Sequence, residues 1–436
     1  MIRYFKSFYY HIKLSLYIGY IYYRDININH DEKWIDTIKS CIEDCGPIIT
    51  KCVQWGLPRY ETIHSKTQLT ESFCSFYNDC REHTIETSQY IYKREYNREL
   101  SNDYEIIRIL GSGSIGQVYL AKSKHTQKLR AIKILHPNLE YDFVVFSLIF
   151  NILLYFVDYT KYLPIRDITE ILTLLKLQLD LQNEYMNNQK FIELYRGNKC
   201  IRIPEIYEYT QNTCIMEYID SKSFDESISE YNRYKIINLL SVFTNNNCLH
   251  GICHGDMHRG NWGYIDYNTI VVYDYGYCFE IEKSEFELID QIVSIDHKHE
   301  IIDCFIEYYN KQSHNKRDID TTDIIERYKQ YDNPRLGDFL IDLFHFCIKN
   351  RIMISNTCLN GFTVFLQLIA FFNTVKLTSS ENNYNRHLTN ILSLCRSNEI
   401  CDRLVEYTEK RIEADNCCEM NRDFSDFESL KNICEI

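Results

Sequence analysis

The chain has 436 residues, 45% of them hydrophobic and 25% charged, enough for a buried core and two or three domains. A formal net charge of −13, with no long basic run against it, argues against a nucleic-acid-binding surface, and no nucleic-acid partner is expected. The 18 cysteines are scattered with no C-x-x-C pair and no secretory signal, which points to a reducing compartment and buried thiols rather than a disulfide framework.

The first 24 residues hold no Asp or Glu, and Arg3, Lys6 and Lys13 share a narrow arc of a helical wheel. A membrane-surface helix, an organelle-targeting peptide and a helix docked on the main body all fit that pattern, and docking is the simplest. The apolar part, residues 14–23, is too short to span a bilayer. From residue 25 to about 100 the chain reads as helical, with Trp34, Ile35, Ile38, Cys41 and Ile42 at spacings of three and four. Gly46-Pro47 and Leu57-Pro58 punctuate it.

At Tyr104 the texture changes to strand, then to Gly111-Ser112-Gly113-Ser114-Ile115-Gly116-Gln117-Val118, then to strand again. This is a literal G-x-G-x-x-G-x-V, and its glycines let backbone N–H groups approach phosphate oxygens that a Cβ would hold away. A dinucleotide fingerprint would open a helix after the loop. Here Val118-Tyr119-Leu120 continues as strand. A charged turn leads to a third strand with Lys133 at its centre, in reach of α- and β-phosphates, and His136-Pro137 stops it.

Residues 144–157 read as an apolar helix, too short to span a bilayer and expected to be buried. Residues 165–195 read as one amphipathic helix carrying Gln178, Asp180 and Glu184. Glu184 is the candidate carboxylate for Lys133. Short strands around Ile206 and Ile215 precede Met216-Glu217-Tyr218-Ile219, a hinge-like stretch whose Glu217 and Ile219 backbone groups are candidates to pair with adenine. Downstream the chain is mostly helical, with residues 361–377 expected as a core helix and a polar helical tail after about 378.

The exception is residues 253–276, which carry His254-Gly255-Asp256-Met257-His258-Arg259-Gly260-Asn261 and then Tyr273-Asp274-Tyr275-Gly276. An Asp followed five positions later by an Asn, and a second Asp delivered into a Gly turn, match the D-x-x-x-x-N and D-x-G grammar of kinase-type phosphoryl transfer. Asn261 and Asp274 are the oxygen donors that nucleotide-bound Mg²⁺ requires. Asp256 is left to orient or deprotonate an acceptor hydroxyl.

Taken together, Ser114-Ile115-Gly116-Gln117-Val118, the Lys133 strand ending in His136-Pro137, and Asp256-Met257-His258-Arg259-Gly260-Asn261 resemble the UbiB/ADCK (aarF-domain) atypical kinases. So do Asp180-Leu181-Gln182-Asn183-Glu184, like that family's E-x-D helix with its ion-pair glutamate, and Gly46-Pro47 with Lys51 and Gln54, like its K-x-G-Q signature. The likeness runs from about residue 30 to about 380. It implies an α+β, two-lobed protein-kinase-like fold, helix-rich overall. Residues 1–100 would be an N-terminal helical extension over the site, 101–219 an N-lobe with a helical insert, and 220–436 a helical C-lobe with tail.

The resemblance further implies ATP and Mg²⁺ as cofactors and transfer of the γ-phosphoryl group to water or to an unidentified, lipid-related acceptor. The alternatives are a nucleotide-gated, non-catalytic lipid- or complex-binding module, or a protein kinase. Relatives are associated with ubiquinone and other isoprenoid-lipid metabolism, so isoprenoid lipid, a membrane surface and a biosynthetic complex are the implied partners. The implied placement is cytoplasmic or peripheral to a membrane, with organelle targeting left open and no transmembrane segment.

Three departures stand out. The family's alanine-rich loop is Gly111-Ser112-Gly113, the glycine of K-x-G-Q is Val53, and the glutamate of E-x-D is Gln178, so a Lys51–Gln178 contact would be a hydrogen bond to a neutral acceptor. Gly255 replaces the Arg of H-R-D, and no A-P-E follows Gly276, which argues against a phosphorylation-regulated protein kinase.

Overall fold

The computed structural model describes residues 9–14, 16, 32–63, 72–77, 80–161, 165–225, 227–294, 298–312, 319–329 and 336–364. The architecture is a two-lobed kinase-like fold with an N-terminal helical layer. That layer is built on α1 (Glu32–Cys45) and α2 (Pro47–Ile63). Ile38, Cys41, Ile42 and Cys45 recur on one face of α1 and close a small core with Phe76, Cys80 and Leu14. Leu14 thereby docks the helical turn at residues 9–14 on the body. Arg3 and Lys6 lie outside the described residues.

The N-lobe follows with α3 (Ile85–Tyr96), α4 (Leu100–Asp103), β1 (Tyr104–Ser112), β2 (Gly116–Ser123) and β3 (Leu129–Leu135). Thr84 starts α3 with a side-chain cap on the Thr87 amide, and Asn97 ends it in the left-handed region. The two-residue period of β3 sorts its side chains between two layers. Ile132 and Ile134, both fully buried, face α3 with Tyr92, Leu100, Tyr119 and Ala121. Each such isoleucine contributes about 1.5–3 kcal/mol of burial. Lys133 therefore points to the opposite face, where Leu135 packs with Ile115, Leu181 and Cys214.

The insert is α5 (Leu139–Phe156), α6 (Glu170–Leu177) and α7 (Leu181–Leu194). Two sequence expectations fail here. The helix expected over 165–195 is broken at Gln178–Asp180, where Asp180 leaves helical geometry and caps α7 by accepting from the Gln182 amide. The helix expected to be buried over 144–157 begins at Leu139 and is mostly exposed, with Leu148 at 61% and Phe156 at 77%. By length and composition it is long enough to cross a membrane. Uniform apolarity carries no facial signal, so the pattern alone could not tell a core helix from an uncovered one.

After β4 (Ile201–Arg202), β5 (Ile206–Tyr209) and β6 (Thr213–Glu217), the main sheet is complete in the order β1-β2-β3-β6-β5, with every pair antiparallel. The C-lobe opens with α8 (Glu230–Leu249), whose Ile236, Ile237, Leu240 and Phe243 sit in the largest core. The segment with the H-x-D and D-x-G motifs lies on short strands, β7 (Ile252–His254), β8 (Trp262–Asp266), β9 (Thr269–Val272) and β10 (Cys278–Glu280). β10 pairs with β7, and β9 joins β8 and the distant β4. Among the described residues α9 (Lys283–Ser294), α10 (Lys298–Gln312), α11 (Thr322–Lys329) and α12 (Leu336–Asn350) follow, and a further helical stretch begins at residue 356. Residues 361–364 are helical and buried, whereas the rest of the expected 361–377 helix and the tail lie outside the described residues.

Candidate active site

Lys133 gathers the site. Its Nζ donates to Glu184 Oε2 at 2.7 Å and to Asp274 Oδ2 at 3.0 Å, joining β3, the first turn of α7 and the loop after β9. The register holds the lysine between Val118 on β2 and Cys214 on β6. Burial works against the ammonium, but Asp274 and Glu184 outweigh it and hold the Lys133 pKa above its ordinary value. Burial also dominates at Glu184 and pushes its carboxyl up, with Lys133 pulling the other way. Asp274 is held well below the carboxylate range, because Lys133 and Lys51 overcome the cost of burial.

The loop around Asp274 is over-determined, as a strained residue requires. Asp274 has φ +33°, in the left-handed region that non-glycine residues avoid. Its Oδ1 accepts from the Gly276 amide at 3.0 Å, and its carbonyl accepts from His254 Nε2 at 2.9 Å. His254 Nδ1 takes the Asp256 amide at 3.3 Å, which makes Nε2 the protonated nitrogen. Asn187 donates to the Tyr275 carbonyl at 2.9 Å and Asn183 to the Gly276 carbonyl at 3.3 Å. None of these three has this anchoring role in the sequence reading, although His254 and Asn183 stand inside its motifs. The signal for two of them was present: Asn183 and Asn187 are four apart on the helix that carries Glu184.

Asp256 lies at the start of a loop closed by Asn261, whose Nδ2 donates to the Asp256 carbonyl at 2.9 Å and leaves the amide oxygen for a cation. Lys51 reaches Asp256 from α2, Nζ to Oδ2 at 2.5 Å. Burial alone would raise the Asp256 pKa, yet Lys51 and His258 bring it below its ordinary value. The hydrogen bond that Lys51 could have made to the neutral Gln178 is not the one it makes. Gln178 ends α6 and donates weakly to Leu174, and the charge on Lys51 selects the carboxylate instead. Gly255 has a structural reason: a Cβ there would fall 2.6 Å from the Tyr277 ring, so no arginine fits beneath that tyrosine.

The glycine loop is tied to the extension. Gln54 Oε1 accepts from Ser114 Oγ at 2.9 Å, and the Cys80 amide donates to the Ser112 carbonyl at 2.8 Å. His136, at the end of β3, reaches the Gly113 carbonyl at 3.0 Å and meets His83 at 2.8 Å. Gly116 is required by packing, since a Cβ would stand 2.7 Å from the Ile134 carbonyl, whereas one on Gly113 would meet only Gly116 O at 3.7 Å. At the hinge, the Glu217 amide is already spent on the Glu205 carbonyl at 2.8 Å. The Ile219 backbone groups make no backbone hydrogen bond among the described residues and remain for a base.

These groups suit a magnesium nucleotide. Asp274 and Asn261 offer the hard oxygens that Mg²⁺ takes alongside phosphates. Ser112 Oγ in the loop is buried without a partner. The Asp274 side chain keeps 31% of its surface exposed, whereas Lys133, Glu184, Lys51 and Asp256 keep 7% or less.

A family model described as the ABC1 atypical kinase-like domain matches residues 75–300, just over half of the chain. No curated protein matches the chain in sequence. Among solved structures, the Rv3197–erythromycin complex from Mycobacterium tuberculosis superposes with a TM-score of 0.51 at 16% identity, covering 75% of this chain and 86% of that one. At that identity the likeness shows the fold alone.

Proposed function

The chain belongs to the ABC1 atypical kinase-like family, and from that premise we propose an ATP-dependent phosphotransferase or ATPase of the UbiB type. The observation that carries this reading is the Lys133 ammonium held between Glu184 and Asp274, three residues drawn from distant parts of the chain. Bound Mg-ATP would supply the γ-phosphoryl group and the divalent charge that neutralises it. Lys133, fixed by Glu184, orients the α- and β-phosphates. Asp274 and Asn261 hold the metal, and the glycine loop around Ser112 and Ser114 lines the phosphates, with the Gly113 amide already donated to the Gly116 carbonyl at 2.9 Å. The backbone of Ile219 faces the base. Asp256 positions or deprotonates the acceptor, water or a lipid-related hydroxyl, so the catalysis rests on positioning and charge.

One observation favours a second reading, a nucleotide-gated binding module. Lys51 occupies the Asp256 carboxylate, so the acceptor position is filled by the protein's own cation. ADP release from ATP with Mg²⁺, with and without lipid vesicles, separates the two readings. Sustained turnover supports the enzyme; saturable binding without turnover supports the module. In the same preparation, Asp274→Asn is expected to remove the Mg²⁺-dependent part of nucleotide-induced thermal stabilisation. A variant with an unchanged melting shift would defeat the metal assignment.

A further inference from the structure

α5 is apolar without being buried. Its 18 residues have a mean hydropathy of 1.7, yet little of that stretch is buried, and no charged residue occurs from Val144 to Val157. The first half is anchored. Leu139, Val145 and Phe146 are buried, and the Asp142 side chain abuts Gly46 at the start of α2. The second half stands free: Asn151, Ile152, Leu153, Tyr155, Phe156 and Val157 are all exposed, Tyr155 at 85%. At 100° per residue those positions cover most of the helix circumference.

We propose that the C-terminal two turns of α5 dip into the headgroup boundary of a lipid bilayer and dock the protein there. A protein groove or a second copy of the chain covers one face of a helix and would leave the other apolar side in water. A bilayer boundary surrounds the whole tip. The Tyr155 and Phe156 rings meet edge to face with centroids 5.2 Å apart. Tyr159 and Lys161 follow, the aromatic and cationic types that settle at headgroup level. Asp158 lies 3.6 Å from Lys161, so the tip carries little net charge to be repelled by anionic lipid, unlike the chain as a whole.

Reach decides between dipping and spanning. Residues 151–157 extend about 10 Å at 1.5 Å per residue, which matches the ~5–10 Å depth of interfacial helices. The hydrocarbon core is about 30 Å thick, and the first half of α5 is committed to the fold. Packing therefore rules out the span that length and composition alone would allow.

The test is flotation of the full-length chain with vesicles of phosphatidylcholine containing a minority of phosphatidylglycerol. The chain is expected to float, and binding should persist at high salt because insertion of apolar side chains is not screened. Ile152→Glu with Phe156→Glu alters two exposed positions and should leave the melting curve unchanged while weakening partitioning by about tenfold or more. In Tyr155→Trp, vesicles should shift the emission of the new tryptophan to the blue. A double variant that floats like the parent, or a position-155 tryptophan that stays in water while the protein floats, would assign binding to another surface and overturn the proposal. Failure to float, with a concentration-dependent dimer abolished by the double variant, would assign the tip to a second copy and also overturn it.

Discussion

Lys133 and Lys51 both end on buried carboxylates, but they come from different layers and leave the site in different states. Lys133 belongs to the sheet and shares its charge between Glu184 and Asp274, whose carboxylate remains partly open to solvent. Lys51 belongs to the extension and closes on Asp256, with both side chains shielded from water. On the proposed function, the half that would take nucleotide is open at Asp274, while the half that would take the acceptor is covered. A covered ion pair exchanges only when a replacement satisfies both charges. In the proposed function, acceptor entry therefore requires Lys51 to be displaced, whereas nucleotide entry requires no such exchange.

The largest expected effect comes from the open half. Lys133→Met leaves Glu184 and Asp274 facing each other without their cation, which costs about 3–5 kcal/mol of stability. It also removes nucleotide stabilisation, about 2.7 kcal/mol at a ligand concentration a hundredfold above Kd. Melting curves with and without Mg-ATP read both. A lysine that merely packs would show the stability loss and keep the nucleotide-induced stabilisation.

The covered half should respond differently. Lys51→Met strands Asp256 and destabilises by up to about 3–5 kcal/mol, but nucleotide-induced stabilisation should survive and ADP release should rise. Survival of binding with unchanged turnover would break the comparison, because Lys51 would then restrain nothing. The pH profile sharpens it. His258 beside Asp256 is held at about 4, by burial first and then by Lys51. Below its ordinary value of about 6.5 the unfolded chain takes up a proton that the folded chain refuses, so stability falls as pH drops from about 6.5 towards about 4. In Lys51→Met one cause is gone, His258 protonates at higher pH, and the acid-side loss becomes shallower. The share owed to His83, also held at about 4 by burial and His136, remains. Urea unfolding across that range measures the slope.

The glycine loop should give the smallest effects and the finest contrast. Gly116→Ala pushes a methyl against the Ile134 carbonyl, costing about 1–3 kcal/mol because backbone cannot yield. Gly113→Ala meets only an ordinary contact and should change stability by no more than about 0.5 kcal/mol. If the double Gly111→Ala, Gly113→Ala variant binds nucleotide and autophosphorylates like the parent, the glycines are not what gives this loop its phosphate chemistry.

Much of the site was legible because its parts are local demands on backbone and chemistry. A glycine loop between strands, a lysine on the next strand, H-x-D-x-x-x-x-N and D-x-G each declare themselves within a few residues, and their order indicates a kinase-like fold. What only the tertiary structure decided concerns partners far apart in sequence and faces that periodicity cannot rank. It chose Asp256 over Gln178 for Lys51 because a buried ammonium requires a charge. It broke the helix at Asp180, where the carboxylate caps a new first turn, and so aimed Glu184 at Lys133. It set Tyr277 over Gly255 and His254 against the strained Asp274. It also left α5 bare beyond its first turns: a run of apolar side chains specifies that water is unfavourable, but only the packing of neighbouring elements determines what, if anything, takes water's place.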